Sequence, residues 1–279
     1  MLKQRVITAL VLLAILLPAL FAPAAWPFAV LTLVMIGAAG WEWSRLNGVT
    51  GAAAVALGVV LAAACGVAMW AGWVASAPRA AWWLATLVWV LGGAWALKVG
   101  PSGWPALPKG LRCALGLVTL WTAWLALANA RFAGINFILS IFCLVWAADI
   151  AAYFGGKTFG KRKLAPAISP GKSWEGVWSG MAGVLLLAAL WLWLDRTLQT
   201  DSQSLYTRLQ QQLGWPGMAL ALVFLAVMSV VGDLVESLSK RSAGAKDSSN
   251  LLPGHGGVLD RIDALLPVFP LALALSSLR

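Results

Sequence analysis

Long apolar runs occupy most of this chain and are separated by short polar connectors. A transmembrane helix needs about 20 predominantly apolar residues. Nine runs of about that length, some of them shorter, lie near 6–22, 26–41, 52–75, 81–98, 111–130, 134–154, 177–195, 216–238 and 262–278. Of the 279 residues 61% are hydrophobic and only 11% are charged, too few to cover a globule in water. We therefore expect an all-α integral membrane protein with about nine transmembrane helices.

Lysine and arginine residues predict how the chain is oriented in the bilayer. With the N-terminus in the cytoplasm, fifteen of these 20 residues fall on the inner side and five on the outer side, the five being Arg79, Arg131, Arg196, Arg208 and Arg279. Such a bias is typical of cytoplasmic loops in membrane proteins. The net charge of +10 therefore indicates orientation beside anionic lipids in the cytoplasmic (inner) membrane, with no nucleic-acid partner.

The two parts of the chain differ in their polar content. We assign 1–130 to N-terminal transmembrane helices that serve as scaffold and in dimerisation, and 131–279 to a catalytic region with cytoplasmic loops 155–176 and 240–261. The N-terminus leaves two interpretations open. Lys3 and Arg5 precede an apolar run as in a secretory signal peptide, but an uncleaved first helix has the same pattern.

Acidic residues are rare and are concentrated at one end of the later helices. Seven of the ten fall at or beyond the cytoplasmic ends of predicted helices six to nine: Asp149, Glu175, Asp233, Glu236, Asp247, Asp260 and Asp263. A charged side chain at the bilayer centre costs about 2.5–3.5 kcal/mol on insertion scales, so intramembrane carboxylates usually mark functional sites. We therefore predict a polar cavity that opens toward the cytoplasm.

The carboxylates of predicted helices eight and nine indicate a cation site. Asp233, Glu236 and Lys240 share one face at helical spacing, together with Ser237. A Glu236–Lys240 ion pair on a solvated helix end would explain that pair, but not the deeper Asp233. Asp260 and Asp263 are three residues apart at the start of the antiparallel ninth helix, so both groups meet at one side of the membrane. Oxygen ligands without thiols favour a hard cation such as Mg²⁺.

Two loops contribute the other polar residues. Gly254, Gly256 and Gly257 surround His255 in a segment with exposed backbone N–H groups, which suits contact with phosphates. As the only histidine, His255 is either a phosphate contact or a structural residue. The basic residues at 157–163 are either topology signals or part of the site.

These segments resemble the phosphatidate cytidylyltransferase (CDP-diacylglycerol synthase) family. The resemblance rests on 237–241, on Lys246-Asp247, on 253–263, and on the stretch 149–176 with Ser169-Pro170-Gly171-Lys172-Ser173-Trp174-Glu175-Gly176. It is specific over roughly 149–270 and only topological before that. Ser239 departs from the apolar residue usual in the family. Because Ser239 lies away from the Asp233 face, we expect a larger apolar residue to be tolerated there.

The resemblance implies an activity, its substrates and a homodimer. CTP and phosphatidic acid would give CDP-diacylglycerol and pyrophosphate, with Mg²⁺, and a second ion such as K⁺, bound at Asp233, Asp260 and Asp263. The catalytic residues would be Asp233, Lys240, Arg241, Lys246, Asp247, Asp260, Arg261 and Asp263. The substrate-binding residues would be Asp149, Tyr153, Lys157, Ser169, Lys172, Ser173, Glu175, Glu236, Ser237, His255, Gly256 and Gly257.

Two other functions compete with this interpretation. A related CTP-dependent transferase would act on another lipid phosphate or on a polyprenol. An ion-coupled transporter would also carry intramembrane acids, but transporters usually have two similar halves with paired broken helices. Here the polar residues crowd into one half, which favours an enzyme.

Overall fold

The computed structural model describes residues 2–278, with side chains from residue 4 onward, and is built mainly from helices. Met1 and Arg279, the latter counted among the outer-side charges, lie outside the described residues. The helices are α1 (Leu2–Phe21), α2 (Trp26–Leu46), α3 (Gly51–Trp70), α4 (Arg79–Leu87), α5 (Gly93–Gly103), α6 (Lys109–Ala133), α7 (Ile135–Phe159), α8 (Trp174–Thr197), α9 (Leu205–Ser242), α10 (Leu259–Ile262) and α11 (Leu265–Leu275). A π-helical turn, Val88–Gly92, joins α4 to α5, and a 3₁₀ turn, Trp104–Ala106, follows α5.

Seven helical units within residues 2–278 are long and apolar enough to cross a membrane. They are α1, α3, the continuous unit Arg79–Ala106, α6, α7, α8 and α9. The other two predicted spans, 26–41 and 262–278, correspond to α2, which carries Glu42, and to α11, which has 11 residues. Large apolar side chains such as Trp70, Leu186 and Leu220 lie more than 70% exposed on the outer surface. The chain is therefore a multi-pass membrane protein.

Two features depart from the all-α prediction and from its helix boundaries. A short antiparallel hairpin pairs β1 (Lys163–Ala165) with β2 (Ser169–Ser173). Helix α9 begins at Leu205, upstream of the predicted eighth span at 216–238, and continues through that span. Gly214 kinks α9 with a φ of 67°, a left-handed conformation that glycine adopts without steric cost.

Helices α7 and α8 pack closely because α8 presents glycines to its neighbour. A Cβ atom at Gly176 or Gly180 would lie 2.9 Å from the carbonyl oxygen of Ala152 or Ala148 on α7. Small residues allow membrane helices to approach one another in this way. The close packing sets the inner ends of α7 and α8 beside the hairpin and α9, where most of the predicted site residues lie.

Candidate active site

A polar chamber of about 480 Å³ lies between α7, the hairpin, α8 and α9. Seven of the predicted site residues line it, namely Asp149, Tyr153, Lys157, Ser169, Lys172, Ser173 and Asp233. They come from three elements, α7, the hairpin and α9, and six of them belong to the stretch 149–176 that carries part of the family resemblance. The structure therefore brings this stretch together with Asp233 on α9.

The central contact of the polar chamber is an ion pair between the hairpin and α9. Lys172 Nζ lies 2.7 Å from Asp233 Oδ2, and Ser237 Oγ donates to Asp233 Oδ1 at 3.3 Å. The side chains of Lys172 and Asp233 are 25% and 32% exposed, so the pair is open to a ligand in the chamber. An ammonium and a carboxylate thus stand side by side where a polyanion and a cation would meet.

The hairpin that carries Lys172 is held at its base by Glu175. The Glu175 carboxylate accepts from the backbone N–H groups of Lys161 and Arg162, both at 3.1 Å, and from Arg162 Nε at 3.0 Å. Ser173 caps α8, since its Oγ accepts from the N–H of Gly176 at 3.2 Å. Glu175, predicted to bind substrate, therefore lies outside the lining of the chamber and positions the hairpin.

Lys240 links the end of α9 to α10. Its Nζ lies 2.6 Å from Glu236 Oε2 and 2.6 Å from Asp260 Oδ1, and its side chain is only 12% exposed. The Glu236–Lys240 pair considered above on a solvated helix end is thus present, but it is buried. A buried cation with two carboxylates forms a rigid junction because unpaired charge there would be costly.

Asp260 organises the loop that precedes α10, residues 243–258, here called the signature loop. The Oδ2 atom of Asp260 accepts hydrogen bonds from Ser248 N at 2.9 Å, Ser248 Oγ at 2.7 Å and Gly257 N at 2.7 Å. Burial alone would raise the pKa of Asp260, but the hydrogen bonds from Lys240, Gly257 and Ser248 outweigh it and lower the pKa to about 2. Gly256 has a φ of 84°, and a Cβ there would lie 2.7 Å from the same carboxylate.

Glu42, on α2, is a site residue that the sequence analysis did not identify. Its fully buried carboxylate accepts four hydrogen bonds from the signature loop and the start of α10: Ser248 Oγ at 3.2 Å, Ser249 Oγ at 2.5 Å, Val258 N at 3.0 Å and Leu259 N at 2.7 Å. Glu42 is the only acidic residue before Asp149, which was an available signal. The N-terminal part of the chain therefore contributes directly to the site.

The remaining predicted residues lie around the signature loop. Arg241 ties it to the hairpin, donating to the carbonyl oxygens of Ala245 at 3.2 Å and Ile168 at 3.4 Å. Arg261 donates to the carbonyl of His255 at 2.6 Å, while His255 Nδ1 is buried without a hydrogen-bond partner.

Of the eight predicted catalytic residues, Asp233 alone lines the polar chamber, and three of the others lie apart from both the chamber and the Lys240 junction. Lys246 and Asp247 line a separate surface hollow beside Arg45 on α2. Asp263 lies at the turn between α10 and α11, where its Oδ1 accepts from Ala264 N at 2.8 Å. Its backbone packs on α9 at Gly232, next to Asp233.

The donor set fits a hard cation, although the carboxylates do not form a closed cage. Within the described residues, no three acidic, histidine or cysteine side chains lie close enough to hold a metal ion together. Asp233 and Asp260 each bind a lysine ammonium instead, which occupies carboxylate oxygens as a cation would. Mg²⁺ commonly binds one or two carboxylates and completes its coordination shell with phosphate oxygens and water. Separate carboxylates such as Asp233 and Asp260 suit a cation bound in this way.

Comparison with known proteins places the chain in a family. The phosphatidate cytidylyltransferase of Pseudomonas aeruginosa is 42% identical over 284 aligned residues, which cover 99% of this chain and 97% of that protein. The enzymes of the same name from Haemophilus influenzae and Bacillus subtilis are 47% and 42% identical over 137 and 139 residues, 49% of this chain in each case and 44% and 46% of those proteins. The Cytidylyltransferase family matches residues 3–278. The chain belongs to the cytidylyltransferase family.

Proposed function

We propose that this protein is a CTP:phosphatidate cytidylyltransferase that makes CDP-diacylglycerol for phospholipid synthesis. The observation that carries the proposal is the polar chamber, where the stretch 149–176 of the family resemblance meets Asp233 of α9 through the Lys172–Asp233 ion pair. The similarity to relatives of that name over nearly the whole chain supports the same reaction.

The reaction requires positive charge and no general base, and this site supplies several lysines and arginines. A phosphate monoester has a second pKa near 6 and is largely dianionic at pH 7, so the phosphate of phosphatidic acid needs no base to become a nucleophile. Its oxygen forms a bond to the α-phosphorus of CTP, the bond from that phosphorus to the β-bridging oxygen breaks, and pyrophosphate leaves with the electron pair. The task of the protein is to hold two polyanions together.

The hairpin and the signature loop would each hold part of the negative charge of the two substrates. Lys172, on the hairpin, would neutralise a phosphate in the chamber when Asp233 is drawn to a cation, and Ser169 and Ser173 would donate hydrogen bonds beside it. Lys240, Arg241 and Arg261 would hold negative charge at the signature loop, with Glu236 keeping Lys240 in place.

A divalent cation would complete this arrangement. Asp233, Asp260 and Asp263 would hold Mg²⁺, with K⁺ as a second ion, and the bound metal would stabilise negative charge on the phosphates. Once Asp233 and Asp260 bind the cation, they would no longer pair with Lys172 and Lys240. The two lysines would then be free to contact the phosphates of the substrates. Asp149 and Tyr153 would line the chamber opposite, and Lys157 would extend its positive edge.

The proposal includes the membrane topology of the helices and the oligomeric state. We place nine helices across the cytoplasmic membrane, with α2 and α11 as the two short spans, and the polar chamber open to the cytoplasm. The protein would act as a homodimer, and 1–130 would supply its scaffold.

An assay of the purified protein tests the proposal. In mixed micelles with phosphatidic acid, labelled CTP and Mg²⁺, we expect CDP-diacylglycerol and pyrophosphate in equal amounts, and no product without Mg²⁺. Lys172→Met should remove most of this activity, whereas Arg196→Met, at the opposite end of α8, should not. Faster turnover of a polyprenol or another lipid phosphate would assign the alternative transferase instead.

A further inference from the structure

A second cavity lies on the neighbouring face of α9 and differs from the polar chamber in chemistry. Its volume is about 200 Å³, and it is enclosed by α2, the π-helical turn Val88–Gly92, α5, α6 and α9. Four tryptophans contribute to its walls, Trp43, Trp89, Trp95 and Trp104, and we call it the tryptophan cavity. Its lining is apolar apart from Thr119 and Glu236, so its occupant must be mainly apolar.

The mouth of the tryptophan cavity faces the side of the helix bundle. The lining residues Val88, Trp95 and Leu115 are 37%, 41% and 37% exposed. They lie on the unit Arg79–Ala106 and on α6, both of which are long and apolar enough to cross the membrane. The surroundings of these side chains are therefore lipid hydrocarbon, and a lipid chain can reach the cavity directly from the bilayer.

Two buried polar groups at the cavity have no hydrogen-bond partner among the residues that the structure describes. Trp89 is 5% exposed and its Nε1 is unpaired, and Oε1 of Glu236, which is 2% exposed, is also unpaired. An indole N–H can only donate, and buried tryptophans usually find an acceptor. Trp89 also lies in a π-helical turn, an irregularity frequent at functional sites. The Trp89 N–H is thus an unpaired donor, and an oxygen atom of a mainly apolar molecule would serve as its acceptor.

The inner end of the tryptophan cavity adjoins the candidate active site. Gly232 and Glu236 line the cavity, whereas Asp233, next in the chain, lines the polar chamber. Glu236 also contacts Lys240 Nζ. Glu236 lies six residues before the end of α9, which is roughly 9 Å along a helix at 1.5 Å per residue. That depth suits the ester region of a lipid whose head group lies at the surface.

We propose that the tryptophan cavity binds the ester end and first part of an acyl chain of a diacylglycerol lipid, with the ester carbonyl accepting from Trp89 Nε1. The identity of that lipid as phosphatidic acid rests on the proposed function. The cavity is the site that selects an ester-linked, chain-bearing substrate, and the head group of that lipid would lie beyond Glu236, toward Lys240 at the end of α9.

Removing the Trp89 donor gives the sharpest test. Trp89→Phe keeps an aromatic ring and loses the N–H, so the KM for ester-linked phosphatidic acid should rise by about fivefold, as expected for one hydrogen bond. Ether-linked phosphatidic acid lacks the carbonyl, and its KM should be the same for the variant and the parent protein. The KM for CTP should also stay unchanged. An equal effect on both lipids, or no effect on either, would overturn the assignment.

Filling the cavity gives an independent test. Gly92 lines the cavity with a helical backbone, and a Cβ there meets nothing within 4 Å, so Gly92→Trp can enter the cavity without a backbone clash. Its KM for dioleoyl phosphatidic acid should rise by about tenfold, well above its effect on a dihexanoyl substrate. Gly66→Trp on α3 is the matched control, because Gly66 also has open space but lies outside the cavity. A Gly92→Trp protein that loses a dimer while its lipid KM is unchanged would identify the mouth as a subunit interface and contradict the proposal.

Lipid labelling separates this proposal from the proposed function. Phosphatidic acid with a diazirine near its ester should label peptides of α5 and α6 in the parent protein, and Gly92→Trp should reduce that label. Labelling there without any turnover would keep the cavity assignment and reject the reaction. Turnover with labels confined to α1 or α3 would keep the proposed reaction and reject the cavity assignment.

Discussion

At the scale of single residues, Glu42 shows how one buried carboxylate can organise a loop far away in the sequence. It joins α2 to residues 248–259 through four hydrogen bonds, two of them from the backbone N–H groups of Val258 and Leu259 at the start of α10. Hydrogen bonds to a charged group contribute more than neutral ones. The signature loop therefore has its position because a residue of the first 130 holds it.

We expect Glu42→Gln to reduce kcat by about tenfold or more, since an amide offers one acceptor oxygen where the carboxylate offers two. Asp201→Asn is the matched control. Asp201 also accepts from two backbone N–H groups, those of Ile135 and Asn136, but at the opposite end of the bundle. It should lower the melting temperature and leave kcat per folded molecule unchanged. Equal kcat values for the two variants would show that Glu42 acts only on stability.

The carboxylates Asp233, Asp260 and Asp263 should respond to Mg²⁺ as one unit. Asp→Asn at any of them removes a ligand charge, so activity should fall and the Mg²⁺ midpoint should rise, with partial rescue at high Mg²⁺ in at least one variant. A double variant should lose little more than the worse single one, because a disrupted unit cannot be disrupted twice. Titrating activity against Mg²⁺ measures both effects. Unchanged midpoints with substantial activity in all three variants would reject the metal site.

Ser239 has an environment that changes the expectation drawn from the sequence. It does lie away from the lining of the polar chamber, but it is fully buried within the protein, and its Oγ has no hydrogen-bond partner. The prediction that a larger apolar residue is tolerated therefore conflicts with the packing. Ser239→Ala should stabilise the protein by about 1 kcal/mol, because an unsatisfied hydroxyl is removed. Ser239→Phe should destabilise it by about 1–3 kcal/mol through overpacking. Thermal unfolding in detergent compares the two, and a melting temperature raised by Phe would contradict the packing argument.

At the scale of secondary-structure elements, the hairpin is the part that delivers Lys172 to Asp233. Glu175 fixes the base of the hairpin through three hydrogen bonds, and Arg241 contacts the turn through Ile168. Arg241 also contacts Ala245, so its side chain joins the hairpin to the signature loop. A ligand that draws Lys172 from Asp233 would act on both.

Loosening this hairpin should weaken nucleotide binding more than turnover. Glu175→Ala releases the N–H groups of Lys161 and Arg162, and we expect the KM for CTP to rise several-fold while kcat at saturating CTP stays within about twofold. Arg162→Ala removes only the side-chain bond and should have a smaller effect. A fall in kcat alone would place Glu175 in a different role.

At the scale of the whole molecule, both functional loops lie at the same end of the helix bundle. Arg241 bridges them, and the fifteen-to-five distribution of basic residues predicts that this end faces the cytoplasm. Ser249, although it lies in the loop, is buried against Glu42 and would be a poor reporter of topology. Exposed positions at the two ends of the bundle are better suited.

Cysteine labelling in intact cells measures the orientation. In a background with Cys65, Cys113 and Cys143 replaced by alanine, Ala167→Cys and Asn250→Cys should stay unlabelled by an impermeant reagent until the cells are opened. Ser76→Cys, at the other end of the bundle, should be labelled from outside. Labelling of Asn250→Cys in intact cells would invert the topology.

The sequence by itself determined the class of fold, the family and much of the chamber lining. Apolar runs of about 20 residues permit little except membrane helices, because backbone polar groups in lipid must be satisfied within each segment. Asp149 and Asp233 were identifiable because charge inside a membrane is costly and therefore rare, and Lys172 because its loop resembles the family. The seven qualifying helices confirm the multi-pass prediction.

Only the tertiary structure decided which side chains meet. The role of Glu42, the position of Glu175 at the base of a hairpin and the exclusion of Lys246 from the polar chamber depend on contacts between segments distant in sequence. Local periodicity carries no information about such contacts, since it describes one element at a time. The tryptophan cavity follows from the same cause, because it exists only where α5, α6 and α9 leave space between them.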